Sequence, residues 1–236
     1  MEAPLQAVGI YPPHPKGTRA KRVKWCMKPS EDGSERVLVY GAGQNLVVRD
    51  LNDPSKTRIV NEGILANVTA VAYSPNGYSI AFGDDKGAVK VGGWNADGAF
   101  TATFAENCLA GPVNDIKFSD DSKKLIVVGG GASRAKTINL ENKGKWGEIT
   151  AGHNATLLSC DMKYSKPQAI LVAGEDLEVH SYKAMPPGYV GSQKFGPGFI
   201  NQVAFTPWDE GAHYLTISAD KSIKLINTES KETIID

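Results

Sequence analysis

Apolar and polar side chains alternate in short stretches that recur along the chain, each ending in a bulky residue. The stretches are Val23-Lys-Trp-Cys-Met27, Val68-Thr-Ala-Val-Ala-Tyr73, Val113-Asn-Asp-Ile-Lys-Phe118, Leu158-Ser-Cys-Asp-Met-Lys-Tyr164 and Ile200-Asn-Gln-Val-Ala-Phe205. A period of two is the mark of a strand with one face more buried than the other. With Met27, Tyr73, Phe118, Tyr164 and Phe205 as anchors, the intervals are 46, 45, 46 and 41 residues. After each anchor come a turn and a compact apolar run: Val37–Tyr40, Ser79–Phe82, Leu125–Val128, Ala169–Ala173 and Tyr214–Ser218. Gly/Asp/Asn turns follow at Gly43–Asn45, Asp84–Gly87, Gly174–Asp176 and Ala219–Ser222, then third strands such as Leu46–Arg49, Ala88–Val91, Glu178–Tyr182 and Ile223–Ile226. A looser fourth strand closes each unit. The helical spacing i, i+3, i+4, i+7 is sustained nowhere.

Four antiparallel strands repeating every 41 to 46 residues predict the blades of a WD-repeat β-propeller. The expected fold is all-β, one partial propeller over 1–236 with blades near 17–62, 63–108, 109–152, 153–197 and 198–236. The 25 glycines and 13 prolines are spread along the chain as turn punctuation, which fits many short strands. The Trp-Asp signature is worn: Arg49-Asp50, Gly93-Trp94, Ser181-Tyr182 and Ile226-Asn227 stand in its place, and one Gly152-His153 remains. Five blades use nearly the whole chain, leaving the arm Met1–Lys16. The expectation is a piece of a larger ring, or a ring in which Leu5–Ile10 supplies a closing strand. Open propeller edges would invite self-association.

Charge and cysteine content narrow the function classes. Lys+Arg and Asp+Glu are 26 each, which speaks against a general binder of nucleic acid. No apolar run approaches the roughly 20 residues of a membrane span, and no secretory leader is read at the amino terminus. Cys26, Cys108 and Cys160 are scattered, as expected of buried thiols in a reducing compartment, so the expected location is cytoplasmic.

No constellation for catalysis, cofactor or metal emerges. Gly130–Thr137 imitates a phosphate loop, but Ala135 occupies the position of the glycine before the lysine and the segment continues as a strand. The cations Lys16, Arg19, Lys21, Arg22 and Lys24 read as a solvated arm and an outer strand guarded against edge pairing. His14, His153, His180 and His213 have no metal-ligand spacing, and His153 suits a blade-to-blade polar network. Ser218-Ala-Asp-Lys221 spells an acyl-enzyme motif but falls in a hairpin turn.

Several segments resemble the actin-interacting protein 1 family. Leu109–Ser119 followed by Lys124–Gly131 is similar to that family's third blade, and Ser74–Tyr78 with Gly83-Asp84 to its early blades. Met185-Pro-Pro-Gly-Tyr189 with Phe195 and Phe199-Ile200 resembles its Gly-Pro-Pro-Phe segment, and Tyr11–Pro15 its proline-bearing arm. The resemblance implies a non-enzymatic protein built in full from two seven-bladed propellers, of which this chain would form the first five blades. It also implies binding to actin filaments and ADF/cofilin, promotion of disassembly of cofilin-decorated filaments, and association with the cytoskeleton. Carried over by position, the partner-binding candidates are Asp176 in the fourth blade, Phe199 at the start of the fifth, Tyr189 and Arg134. Gly188 stands at the family's aromatic position and Tyr189 follows it. The family's acidic third-blade loop reads Gly129-Gly-Gly-Ala-Ser-Arg134 here, with only the arginine kept. That missing acidic group supports the alternative of a general WD-repeat scaffold for another cytosolic complex.

Overall fold

The computed structural model describes residues 24–235 apart from 31, 143, 144, 164 and 185. The amino-terminal arm, the suggested closing strand Leu5–Ile10, the cations at 16–22 and the anchor Tyr164 lie outside the described residues.

Five four-stranded antiparallel meanders follow one another along the chain. The first contains β1 (Trp25–Met27), β2 (Val37–Ala42), β3 (Asn45–Asp50) and β4 (Arg58–Val60). The second contains β5 (Val68–Tyr73), β6 (Ile80–Asp84), β7 (Ala88–Trp94) and β8 (Phe100–Asn107). The third contains β9 (Val113–Phe118), β10 (Lys124–Gly129), β11 (Ala135–Asn139) and β12 (Lys145–Glu148). The fourth contains β13 (Leu157–Met162), β14 (Ala169–Gly174), β15 (Glu178–Lys183) and β16 (Gly188–Lys194). The fifth contains β17 (Ile200–Phe205), β18 (His213–Ser218), β19 (Ile223–Asn227) and β20 (Thr233–Ile235). Among the described residues the only helical segments are two 3-10 turns, Pro54–Lys56 and Pro207–Asp209.

The hydrophobic core lies between blades. Along β14, Ile170 and Val172 join Tyr182 against Ile126, Val128 and Ala135 of the third blade. The alternate residues Leu171 and Ala173 join Val179 against Ile200, Val203 and Phe205 of the fifth. Period-two side chains therefore feed two cores from one strand, which is why the second strands read as unbroken apolar runs. Equivalent cores join the first blade to the second and the second to the third. On the far side of the first blade Tyr40, Ala42 and Val47 are buried. On that of the fifth, Ile217, Ile223 and Ile235 are exposed.

Hydrogen bonds across blades repeat the sequence period. Thr69 Oγ1–H donates to Val113 O (2.6 Å), Ser159 Oγ–H to Asp115 Oδ2 (3.0 Å), and Phe205 N–H to Asp161 Oδ2 (2.7 Å), each pair 44 residues apart. Asn114 Nδ2–H donates to Leu157 O at 2.8 Å, 43 residues on. The fourth inner strand ends at Met162. The repeat is thus more even than the bulky anchors suggested.

Inner strands of all five blades line a channel of about 450 Å³. Within it Asp115 Oδ2 accepts from Ser159 Oγ–H and from Cys160 N–H (3.1 Å), and lies 3.1 Å from Lys24 Nζ. Lys24 therefore turns into the channel beside the inner strand β1, contrary to the outer-strand reading of the basic run. Lys117 Nζ lies 3.6 Å from Asp161 Oδ1. Burial pushes the Asp161 carboxyl up, against the pull of Lys117 and the Phe205 N–H.

Candidate partner-binding face

A meander places its second-to-third-strand turns and its crossovers to the next blade at the same end. Arg134 and Asp176 lie in such turns, His153 and Phe199 in such crossovers, so all four belong to one face of the propeller.

Asp176 closes the β14–β15 turn, with Leu177 in the left-handed region at φ 69°. Its side chain is buried, and Oδ2 lies 2.8 Å from His180 Nε2. Oδ1 accepts from Glu178 N–H at 3.4 Å. Burial alone would raise this carboxyl; the hydrogen bond and charge of His180 hold it below its ordinary value instead. Asp220, at the same turn position in the fifth blade, accepts from Ser222 N–H and Oγ–H, and Asp84, two positions earlier in the second-blade turn, accepts from Lys86 and Ala88 N–H. Asp176 alone of these three turn carboxylates reaches a histidine.

His180 and Tyr182 point to the same side of β15, toward the third blade. The Tyr182 hydroxyl donates to Ala151 O at 2.6 Å, so at its 3.2 Å contact with His153 Nδ1 it accepts. That assigns His153 the Nδ1–H tautomer. Burial, then His180, then Arg134 hold His153 below the ordinary histidine value. The two imidazoles lie 6.2 Å apart, centre to centre. His180 Nδ1 has no partner among the described residues. Tyr189, on β16, caps the group with its ring 5.5 Å from Tyr182 and 6.5 Å from His180. Gly152 is required beneath it: a Cβ there would come within 2.4 Å of the Tyr189 ring, at φ 95°.

The structure thus gathers Asp176 and Tyr189 around the His153–His180 pair at the junction of the third and fourth blades, with Arg134 near enough for its charge to act on His153. Phe199 sits apart at the next junction, its carbonyl accepting from Ala219 N–H at 2.8 Å. Phe199 is 49% exposed and Tyr189 45%. His180, Tyr182 and Gly152 were not anticipated as parts of this cluster. The spacing of Asp176 and His180, a turn aspartate followed four residues later by a histidine, was the available signal. Gly130–Thr137 leads into the strand β11, and Lys136 Nζ pairs with Glu148 at 3.3 Å, an arrangement unlike a phosphate cradle.

Five successive four-stranded meanders with hydrophobic cores between blades define a WD-repeat β-propeller. No protein-family profile matches the chain. It is 30% identical over 227 residues to the 66 kDa stress protein of Physarum polycephalum, covering 95% of this chain and 36% of that protein. It is 31% identical to actin-interacting protein 1-2 of Arabidopsis thaliana, and 28% identical to WD repeat-containing protein 1 of Bos taurus. Those matches cover 81% and 84% of this chain, and 31% and 32% of the relatives. The chain belongs to the actin-interacting protein 1 family of WD-repeat proteins. It spans about a third of the length of the curated relatives it matches.

Proposed function

We propose that this protein binds actin filaments together with ADF/cofilin and promotes disassembly of cofilin-decorated filaments, acting by binding and not by catalysis. The observation that carries this reading is the 31% identity, over 81% of the chain, to a protein named for its interaction with actin. The exposed aromatic side chains on the face described above support it.

Phe199 is the anchor in this reading, since exposed aromatics that become buried supply much of the energy of protein interfaces. Tyr189 contributes a second aromatic surface and Arg134 a cation. Asp176 acts as a positioning residue, through His180 and the turn it closes, because its carboxylate is already buried and engaged. The protein works in the cytoplasm, on the cytoskeleton, and is a five-blade portion of a larger ring.

The loss of labelled filaments, followed by fluorescence microscopy with cofilin present, tests the reading. Disassembly faster than with cofilin alone, and slowed by Phe199→Ala, is expected. No acceleration by folded protein would overturn it and favour a scaffold for a different complex, the reading to which the third-blade loop without its acidic group already points.

A further inference from the structure

A second recognition surface lies on the rim of the propeller. Blade two ends in the eight-residue strand β8, whereas the facing blade one ends in the three-residue strand β4. The shorter strand cannot cover the longer one, and a groove of about 670 Å³ opens between them. That volume is in the range of ligand pockets, roughly 300–1,000 Å³.

The walls of the groove are built. Phe100 packs against Phe82 (5.9 Å between ring centres) and edge-on to Trp94 (5.6 Å). Its ring lies over Gly92, where a Cβ would come within 2.8 Å of it. Asn95 fixes the β7–β8 turn by accepting from Ala99 N–H at 2.8 Å through its side chain and from Gly98 N–H at 3.0 Å through its carbonyl. From the opposite wall, the Arg58 guanidinium stacks on Trp94 at 4.6 Å from the ring centre. The Lys90 ammonium donates to Gly63 O. Glu62 and Asp97 also line the groove, yet among the described residues neither forms an ion pair with Arg58 or Lys90.

We propose that this groove binds an extended peptide, added as a strand along the outer edge of β4, with apolar side chains on Phe100 and a carboxylate on Arg58. Outer strands offer unpaired backbone groups to such an addition. The cation–π contact with Trp94 holds the guanidinium in place in the groove, so less order is lost when a carboxylate binds it. The nearby Glu62 and Asp97 limit the peptide to one carboxylate in place of an acidic run. Alternate residues of a strand share a face, so the apolar and acidic side chains must be two residues apart.

The test uses the whole chain and the fluorescein-labelled peptide Thr-Leu-Thr-Leu-Thr-Glu-amide, followed by fluorescence anisotropy. Saturable binding is expected, weaker by about fivefold to tenfold when Glu is replaced by Gln, as for a charge-assisted hydrogen bond turned into a neutral one. Ala102→Trp, which fills the groove from an exposed position, should abolish binding while leaving the circular dichroism spectrum unchanged. Trp208→Ala, in another blade, should leave binding intact. Absence of binding, equal affinity for the Glu and Gln peptides, or binding undiminished by Ala102→Trp would each overturn the proposal. It stands independently of the actin reading, since filament binding is expected to survive Ala102→Trp.

Discussion

Asp176 and His180 form a buried pair at the start of β15, Oδ2 to Nε2 at 2.8 Å, and it braces the turn beside the proposed partner face. Removing the carboxylate leaves the imidazole N–H without its acceptor. Asp176→Ala is expected to lower unfolding stability by about 2 kcal/mol, within the usual range for a buried donor deprived of a charged partner. Asp176→Asn should cost less, because its amide oxygen still accepts. Urea denaturation of the two variants against the parent chain checks the order.

Acid should weaken the fourth blade through His153. Its folded value is below the ordinary 6.5, so near and below that pH the unfolded chain takes up a proton that the fold refuses. The contribution of neutral His153 is complete above that pH and is lost as the pH falls. Asp176 has the same sign at lower pH, since its folded carboxyl is held down and its contribution disappears as it protonates. His153→Gln should flatten the fall in urea midpoint between pH 7 and 5.5, and an unchanged slope would count against this role.

Gly152→Ala places a methyl group 2.4 Å from the Tyr189 ring at a backbone angle that only glycine adopts readily. A loss of about 1–3 kcal/mol is expected, part from the backbone and part from the displaced ring. Combining it with Tyr189→Ala should relieve the second part, so the double variant loses less than the sum of the singles in thermal or urea unfolding.

Ser159 is the middle rung between the third and fifth blades: it donates to Asp115 and accepts from Val203 N–H at 3.3 Å. Ser159→Ala should cost about 1–3 kcal/mol, the penalty for buried groups left unpaired. Hydrogen exchange should speed up at the Val203 amide and remain slower at Cys160, whose N–H still reaches Asp115.

The architecture was legible in the sequence because a blade buries both faces of its second strand and marks its turns with Gly and Asp. Ile170–Val172 and Gly174–Asp176 are an instance of each. Bulk at the end of the inner strand was a poorer guide, since β13 ends at Met162. The candidate site was only partly legible. Asp176 was found by position, but its engagement with His180 depends on the pleat of β15, and the third member, His153, arrives from a crossover 23 residues earlier. The rim groove was invisible, because it arises from unequal lengths of β4 and β8, two strands far apart in sequence with no marked ends.

Co-sedimentation with actin filaments, with and without cofilin at physiological salt, bears most directly on the proposed function. Pelleting of the chain that depends on cofilin, is reduced by Phe199→Ala and is accompanied by more actin in the supernatant is the expected result. Folded protein that stays in the supernatant under both conditions would contradict it.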